Sequence, residues 1–367
     1  MINIHAKFFL IFGFSILSTI TFLPFIKKIG LSYNLVDLPN KRKLHASPTV
    51  RVGGLSLWIS FFASSIFSYF LDWFSGNAKD LLMVYLLGSF LFFLVGFAED
   101  IFKISMKFRL LLQVLISSLV WIQGVQIKEI DVSYLFPQSQ IIYIPAIISF
   151  FITAFWIVAI TNSFNWIDGL DGLSAGVAII TTFSLVLLIN SIGTSSIMIL
   201  MIALIGSCLG FLFFNFNPAK IFMGDGGSYL IGSLIAFFSI YSHNYFIENG
   251  ISQLSFLWEF IILFVPIVDM NYVFFSRISA GESPFYPDRR HLHHRILRAG
   301  FSHRETVILT YLFCFFFSGI VFANVFKENN ILIISFTSLT LFLFLLLKFK
   351  NSIILFKKFF RISLNKK

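Results

Sequence analysis

Residues 143–214 read YIPAIISFFITAFWIVAITNSFNWIDGLDGLSAGVAIITTFSLVLLINSIGTSSIMILMIALIGSCLGFLFF. Three apolar runs, 143–161, 175–193 and 196–214, are broken by one polar segment, and Asp168 and Asp171 are the only charged residues in the stretch. Crossing the hydrocarbon core of a bilayer takes about 20 apolar residues, so each run is long enough to be a membrane span. Backbone polar groups in lipid must be satisfied within the segment, which makes the spans helical. The polar segment between them then lies at a membrane surface, with its carboxylates presented to water.

Reading outward with the same window adds spans at 8–26, 53–71, 81–98, 109–125, 228–247, 255–275, 306–326 and 331–348, for eleven in all. The expected fold is an all-α polytopic membrane helical bundle. No internal repeat or low-complexity linker divides the chain. Residues 1–367 are therefore expected to form a single integral membrane domain, with a transmembrane bundle over about 8–348 and a basic tail over 349–367. Composition agrees: 57% of residues are hydrophobic, 12% are charged and 51 are phenylalanine. A water-soluble domain of this length needs about twice that share of charge. Cys208 and Cys314 both fall inside apolar runs and read as small buried hydrophobes rather than a disulfide or metal pair. The first run continues to Pro24–Ile26 without a small-residue cleavage site, so it reads as a retained span.

Basic residues give the orientation. The loops 27–52, 99–109, 162–175, 215–227 and 276–305, together with the tail after 348, hold 23 of the 27 lysines and arginines; the opposite loops hold Lys7, Lys79, Lys128 and Lys327. The first set is expected to be cytoplasmic, with the N-terminus outside and the C-terminus inside. The net charge of +10 then faces anionic lipid, and no nucleic-acid partner is needed to explain it.

Each dense polar motif falls in that cytoplasmic set. The first is GFAEDIFK at 96–103, continuing to Lys107 and Arg109. If the segment stays helical, Glu99, Lys103 and Lys107 recur every four residues on one face, putting an acid beside cations suited to phosphate. A plain helix-end charge cluster would read the same way. The second is NSFNWIDGLDGLSAG at 162–176, where Asn165, Asp168 and Asp171 are three apart and a helical stretch would cluster them. Their oxygens suit a hard cation such as Mg²⁺, and the glycines allow a nucleotide close to the backbone. The alternative is a structural Asp-Gly turn. The third is NFNPAKIFMGDGGS at 215–228, with Asp225 opening an apolar helix, either as a metal-sharing carboxylate beside an anion site or as a simple cap.

The fourth motif is PFYPDRRHLHHR at 284–295. His291, His293 and His294 invite a zinc reading, but Arg289, Arg290 and Arg295 crowd them with positive charge and no cysteine is near. Donors to a diphosphate or a sugar fit better. The fifth runs from Asp37 through Lys41, Arg42, Lys43 and His45 to Arg51 and the Gly53-Gly54 pair, a basic loop suited to lipid phosphate or headgroups.

These five segments, in this order from about Asp37 to Arg304, resemble the polyprenyl-phosphate N-acetylhexosamine-1-phosphate transferases, the family that includes phospho-MurNAc-pentapeptide translocase. The resemblance implies transfer of a sugar phosphate from a UDP-N-acetylhexosamine to undecaprenyl phosphate in the bacterial inner membrane, with the active site on the cytoplasmic face. The His-x-His-His form looks like the branch that uses UDP-GlcNAc to start O-antigen, enterobacterial common antigen or teichoic-acid linkage lipids; UDP-MurNAc-pentapeptide is the alternative donor. The cofactor implied is Mg²⁺, with Mn²⁺ as a substitute. By resemblance Asp225 and Asn165 match metal ligands, Asp168 and Asp171 match residues near the nucleotide, and Phe222 matches an aromatic that stacks on uracil. Arg290, His291, His293 and His294 match the loop that contacts diphosphate and sugar. Lys103 and Lys107, or the first basic loop, are expected to hold the lipid phosphate. The family's usual Asp-Asp pair is Glu99-Asp100 here, so either acid is left as the candidate base. A homodimer stays open. Two rivals also remain: a transporter for a phosphorylated lipid, for which only Asp269 and Glu259 lie within spans, and a CDP-alcohol phosphotransferase, whose motif is missing after Asp168-Gly169.

Overall fold

The computed structural model describes residues 3–37, 48–131, 141–250, 255–284 and 289–326, with isolated positions at 337, 339, 340 and 344. The chain folds into helices α1 (Ile4–Ser32), α2 (Gly54–Phe70), α3 (Asn77–Phe102), α4 (Met106–Ile122), α5 (Ala146–Ile167) and α6 (Leu173–Asn190). There follow α7 (Ile197–Asn215), α8 (Gly224–Glu248), α9 (Ser255–Ile262), α10 (Phe264–Ser279), α11 (Leu292–Arg298) and α12 (His303–Val325). Two short antiparallel hairpins complete the described residues: Val36–Asp37 pairs with Thr49–Val50, and Glu129–Asp131 pairs with Ile141–Tyr143.

Among the described residues seven helices are long and apolar enough to cross a membrane: α1, α3, α5, α6, α7, α8 and α12. The pair α9 and α10, bent by 76°, makes an eighth if it is one span. The expected spans at 53–71 and 109–125 correspond to α2 and α4, each 17 residues long. Those expected at 331–348 and in the tail lie outside the described residues, as do Lys41, Arg42, Lys43, His45 and residues 285–288. The bend has a local cause. Pro266 has no N–H for the helical ladder, and its ring conflicts with the carbonyl of Ile262, the residue at which α9 stops.

Lipid provides little hydrophobic drive between helices, so small residues and short hydrogen bonds set the packing. Gly206 and Gly210 of α7 lie against the α1 backbone at Phe12 and Ile16. Ser15 of α1 bonds Ser64 of α2 at 2.7 Å, and Ser207 of α7 donates to Ser60 at 3.0 Å, which ties three helices together. Large apolar side chains such as Phe9, Phe70, Phe151 and Phe155 stay exposed on the outside of the bundle, as a lipid-facing surface requires.

One end of the bundle gathers the motif loops. Gly96, in the last turns of α3, lies against the carbonyl of Asp225 in the first turn of α8. Gly54 at the start of α2 touches Gly227. The C-terminal ends of α5 and α7, and the N-terminal ends of α4, α6 and α12, meet the same region through the bonds described next.

A carboxylate and arginine site at the gathered helix ends

Asp225 is the hub. Gly224 before it has φ +75°, and a side chain there would strike the Arg51 carbonyl and the Asp100 carboxylate, so only glycine permits the turn. The chain therefore enters α8 sharply, and Asp225 points back to the ends of α2, α3 and α4. Its Oδ1 accepts from Arg51 Nη2 at 2.8 Å, and its Oδ2 accepts from Arg109 Nη1 at 3.2 Å. Each arginine also reaches a second acid. Arg51 Nε lies 3.1 Å from Asp100 Oδ1, and Arg109 Nη1 lies 3.8 Å from Glu99 Oε1. Asp100 Oδ2 further accepts the Gly226 backbone N–H at 3.0 Å, using a donor that the first turn of α8 leaves free. Glu99 Oε2 is buried without a hydrogen-bond partner among the described residues, and Asp100 Oδ1 is held by its ion pair with Arg51.

Lys103 and Lys107 stand apart from this hub. The four-residue register expected for Glu99, Lys103 and Lys107 fails because α3 stops at Phe102 and Lys103 turns into the left-handed region, φ +53°. Ser105 then caps α4 afresh through Phe108 N–H. Lys103 Nζ bonds the Asp100 carbonyl at 3.2 Å, and both lysines are exposed at the surface. The arginines that do reach the site are Arg51, expected with its basic loop to meet lipid phosphate, and Arg109, to which the sequence assigns no role. Their signal was position: each closes a motif next to the start of a span.

The 162–176 segment is only partly helical. Helix α5 ends at Ile167, so Asn165, Asp168 and Asp171 do not share a helix face. Asn165 is the residue that joins the hub: its Nδ2 donates to Ser228 Oγ at 3.0 Å, and that hydroxyl donates to the Asp225 carbonyl at 3.1 Å. Asp168 caps the helix, half-buried, and no side-chain hydrogen bond engages its carboxylate among the described residues. Burial pushes Asp168 up to about 7; Asp225, Asp100 and Asp171 add to the rise and Arg51 opposes it. Asp171 instead braces a loop. Its Oδ2 accepts from Asn217 Nδ2 at 2.9 Å and Ala219 N at 3.0 Å. Asn215 fastens the same loops, accepting from Gly172 N and donating to the Ile221 carbonyl, both at 2.9 Å. Phe222, half-buried, lies where residues 222–223 pair with Val50, Gly53 and Gly54 through backbone bonds of 2.8–2.9 Å. This pairing holds the Arg51 segment over the start of α8.

The histidine loop is carried by an acid of α10. Asp269, buried in that helix, bonds His291 Nδ1 through Oδ2 at 2.8 Å and receives the Leu292 N–H on Oδ1 at 2.5 Å. His291 stacks on His293 with ring centroids 5.6 Å apart, and Trp166 meets His291 edge-on at 5.7 Å. His293 is buried against Gly169, where any side chain on residue 169 would collide with the imidazole, so the histidine and Asp-Gly segments are in direct contact. Burial, then the neighbouring His294 and His291, hold His293 well below the usual imidazole range; burial also lowers His294. Both are therefore neutral at pH 7. Arg290 turns toward α10, pairing with Glu282 at 2.8 Å and donating to the Ser276 carbonyl at 3.1 Å. Asp269 had been noticed only as an acid inside a span, and its partner is the loop the sequence had marked on other grounds.

Among the described residues no group of three or more histidine, cysteine, aspartate or glutamate side chains forms a ready metal cage. The donor chemistry nevertheless fits a hard cation: Glu99, Asp100 and Asp225 are joined through Arg51 and Arg109, Glu99 Oε2 is buried without a hydrogen-bond partner, and the Asn165 amide reaches the Asp225 backbone through Ser228.

Comparison with known proteins agrees with the spaced motifs. The family model for glycosyl transferase family 4 matches residues 82–243, which include the acidic pair, the Asp-Gly segment and Asp225. A Bacillus subtilis (strain 168) protein named "Probable undecaprenyl-phosphate N-acetylglucosaminyl 1-phosphate transferase" is 32% identical over 332 residues, covering 90% of this chain and 88% of its own. Escherichia coli (strain K12) "Undecaprenyl-phosphate alpha-N-acetylglucosaminyl 1-phosphate transferase" is 31% identical over 298 residues, covering 80% and 77%. The Yersinia pestis protein of the same name is 29% identical over 314 residues, covering 84% and 81%. With such identity across most of its length, and its acidic and histidine motifs folded into one site, the chain belongs to glycosyl transferase family 4.

Proposed function

We propose that the chain transfers N-acetylglucosamine 1-phosphate from UDP-GlcNAc to undecaprenyl phosphate and releases UMP. A phosphate oxygen of the lipid attacks the β-phosphorus of the donor. The bond from that phosphorus to the bridging oxygen breaks, and the oxygen leaves with UMP. The observation that carries this reading is the convergence of Glu99, Asp100, Asp225, Arg51 and Arg109 at one end of the bundle, in contact through Ser228 and Gly169 with the amide and histidine segments. The names of the relatives favour this donor and acceptor.

Asp225 and Asn165 would hold Mg²⁺, or Mn²⁺ in its place. The ion would supply charge neutralisation of the diphosphate. The protein's own residues position and balance charge. Arg51 and Arg109 carry two positive charges beside the site, and His291 is held by Asp269 through Nδ1. A lipid phosphate with a second pKa near 6 is already largely a dianion at pH 7, so a base at Glu99 or Asp100 adds little and orientation dominates. Lys103 and Lys107, exposed just beyond α3, suit the incoming lipid phosphate, and Phe222 suits the uracil. The same reading carries eleven spans, the gathered ends on the cytoplasmic face of the bacterial inner membrane, and a homodimer as one assembly.

Purified protein with Mg²⁺, undecaprenyl phosphate and UDP-GlcNAc should yield UMP and a GlcNAc-diphosphate lipid. Release of UDP would mean that the sugar alone is moved, and movement of lipid with no nucleotide product would mean transport. Asp225→Asn should abolish turnover; full activity in that variant would remove the metal assignment.

A further inference from the structure

Both carboxylate oxygens of Asp225 are covered by guanidinium groups, Arg51 on Oδ1 at 2.8 Å and Arg109 on Oδ2 at 3.2 Å. A divalent cation such as Mg²⁺ takes carboxylate oxygens at about 2.0–2.1 Å, and a guanidinium on the same oxygen competes with it for space and for charge. The two arginines do not depend on Asp225 alone. Arg51 Nε already faces Asp100 at 3.1 Å, and Arg109 already faces Glu99 at 3.8 Å. Each arginine thus bridges a shared acid and a private one. Glu99 has capacity to spare, since its Oε2 is buried without a hydrogen-bond partner among the described residues, and Asp100 Oδ1 has Arg51 as its ion-pair partner. The side chains differ in freedom as well: Arg51 is 33% exposed, whereas Asp100 is 3% exposed. Arg51 therefore has room to shift against an enclosed Asp100, whereas Arg109 and Glu99, 13% and 17% exposed, are enclosed to a similar degree.

We propose that Arg51 and Arg109 are internal counter-cations that a divalent metal displaces from Asp225, and that they swing onto Asp100 and Glu99 and turn their remaining N–H donors to the donor diphosphate. The inference rests on the reading of Asp225 as a metal ligand and adds to it a role for four side chains. Without metal, three carboxyl groups face two guanidiniums in a partly buried site. Metal entry with both arginines still on Asp225 would crowd like charges; parking them on their private acids opens the shared one. Glu99 and Asp100 then serve as docking points for arginine rather than as bases. The longer glutamate suits that task, because its present contact is the loosest of the four, at 3.8 Å. Ready metal geometry is absent among the described residues because the arginines occupy the place of the metal.

The test is a Mn²⁺ titration of the full chain in detergent, with free ion followed by paramagnetic resonance and no substrate present. Arg51→Gln and Arg109→Gln should each bind Mn²⁺ about tenfold more tightly, while turnover at saturating Mn²⁺ falls and the KM for UDP-GlcNAc rises. Arg109→Lys keeps the charge and should stay within about twofold of wild-type Mn²⁺ affinity. Asp225→Asn should lose the Mn²⁺ site. Should it bind as wild type does, the metal reading itself fails and the exchange falls with it. Should Asp225→Asn lose the ion while both glutamine variants bind no better than wild type, the exchange is overturned and the metal reading stands. If a glutamine variant does not fold, wild type supplies the second readout: Mn²⁺ should change the rate at which phenylglyoxal modifies Arg51, read by mass spectrometry. An unchanged rate overturns the exchange.

Discussion

Asp168 and Asp269 show what single side chains contribute. Asp168 has an ordinary carboxyl value of 3.8, and its surroundings push it up to about 7. The sign follows from desolvation: burial disfavours the charged form, so the neutral acid dominates below about 7 and the carboxylate above it. If the carboxylate is the working form, kcat/KM for the nucleotide sugar rises as pH increases through about 7. The lipid phosphate also ionises near 6, so the comparison that matters is with Asp168→Asn. That variant should lose the limb near 7 and keep the limb near 6; a profile identical to wild type would remove Asp168 from the reaction. His293 and His294, lowered by burial, should contribute no limb at that pH. Asp269 acts through another residue. Asp269→Asn puts an amide N–H toward His291 Nδ1 and reverses the tautomer, as loss of a supporting carboxylate does in metal and catalytic histidines. Activity should fall about 10- to 100-fold. Fold and Mn²⁺ binding should be unchanged, and a loss under twofold would make the contact merely structural.

At the scale of elements, glycine decides how closely helices approach the site. A Cβ on Gly96 would lie against the Asp225 carbonyl and the Gly226 nitrogen, both backbone atoms that cannot turn aside. Alanine ordinarily favours a helix over glycine by about 1 kcal/mol. Here the collision between α3 and α8 should outweigh that gain by a few kcal/mol. Gly96→Ala should therefore lower both the melting temperature in detergent and turnover, because Asp225 moves with its backbone. Gly13 of α1 has nothing within 4 Å and is the control: Gly13→Ala should leave both unchanged or raise the melting temperature. A stabilised Gly96→Ala would mean that α3 and α8 are not packed as described. Elements also mark where sequence reading succeeded. Long apolar runs made the helices legible, since lipid allows few other forms. Their ends were not. The left-handed turn at Lys103 and the stop of α5 at Ile167 depend on tertiary contacts, so the helical registers assumed across Glu99–Lys107 and Asn165–Asp171 did not hold. Residues 255–275 read as one unbroken span, although Pro266 carries the signal for the 76° bend between α9 and α10.

For the whole molecule, the order of charges along the chain and the gathering of helix ends are independent facts that point the same way. Lysines and arginines mark one set of loops, and the carboxylate site forms from residues in that set: Arg51, Glu99, Asp100, Arg109, Asp168 and Asp225. Motif order was therefore sufficient to name the loops that gather, whereas the contacts inside the cluster were not legible, because Arg51 meets Asp225 across 174 residues of sequence. By the positive-inside rule this end is expected in the cytoplasm. Cysteine labelling tests it with little interference, because the native Cys208 and Cys314 are both buried. Lys107→Cys, beside the site, and Asn249→Cys, at the far end of α8, are both exposed positions. In intact cells a membrane-impermeant maleimide should label Asn249→Cys and spare Lys107→Cys until the membrane is opened. Labelling of Lys107→Cys from outside would invert the bundle and put the nucleotide site where no nucleotide sugar is made. Labelling of both from outside would break the count of spans between α4 and α8, because five crossings, one each by α4, α5, α6, α7 and α8, put Lys107 and Asn249 on opposite sides.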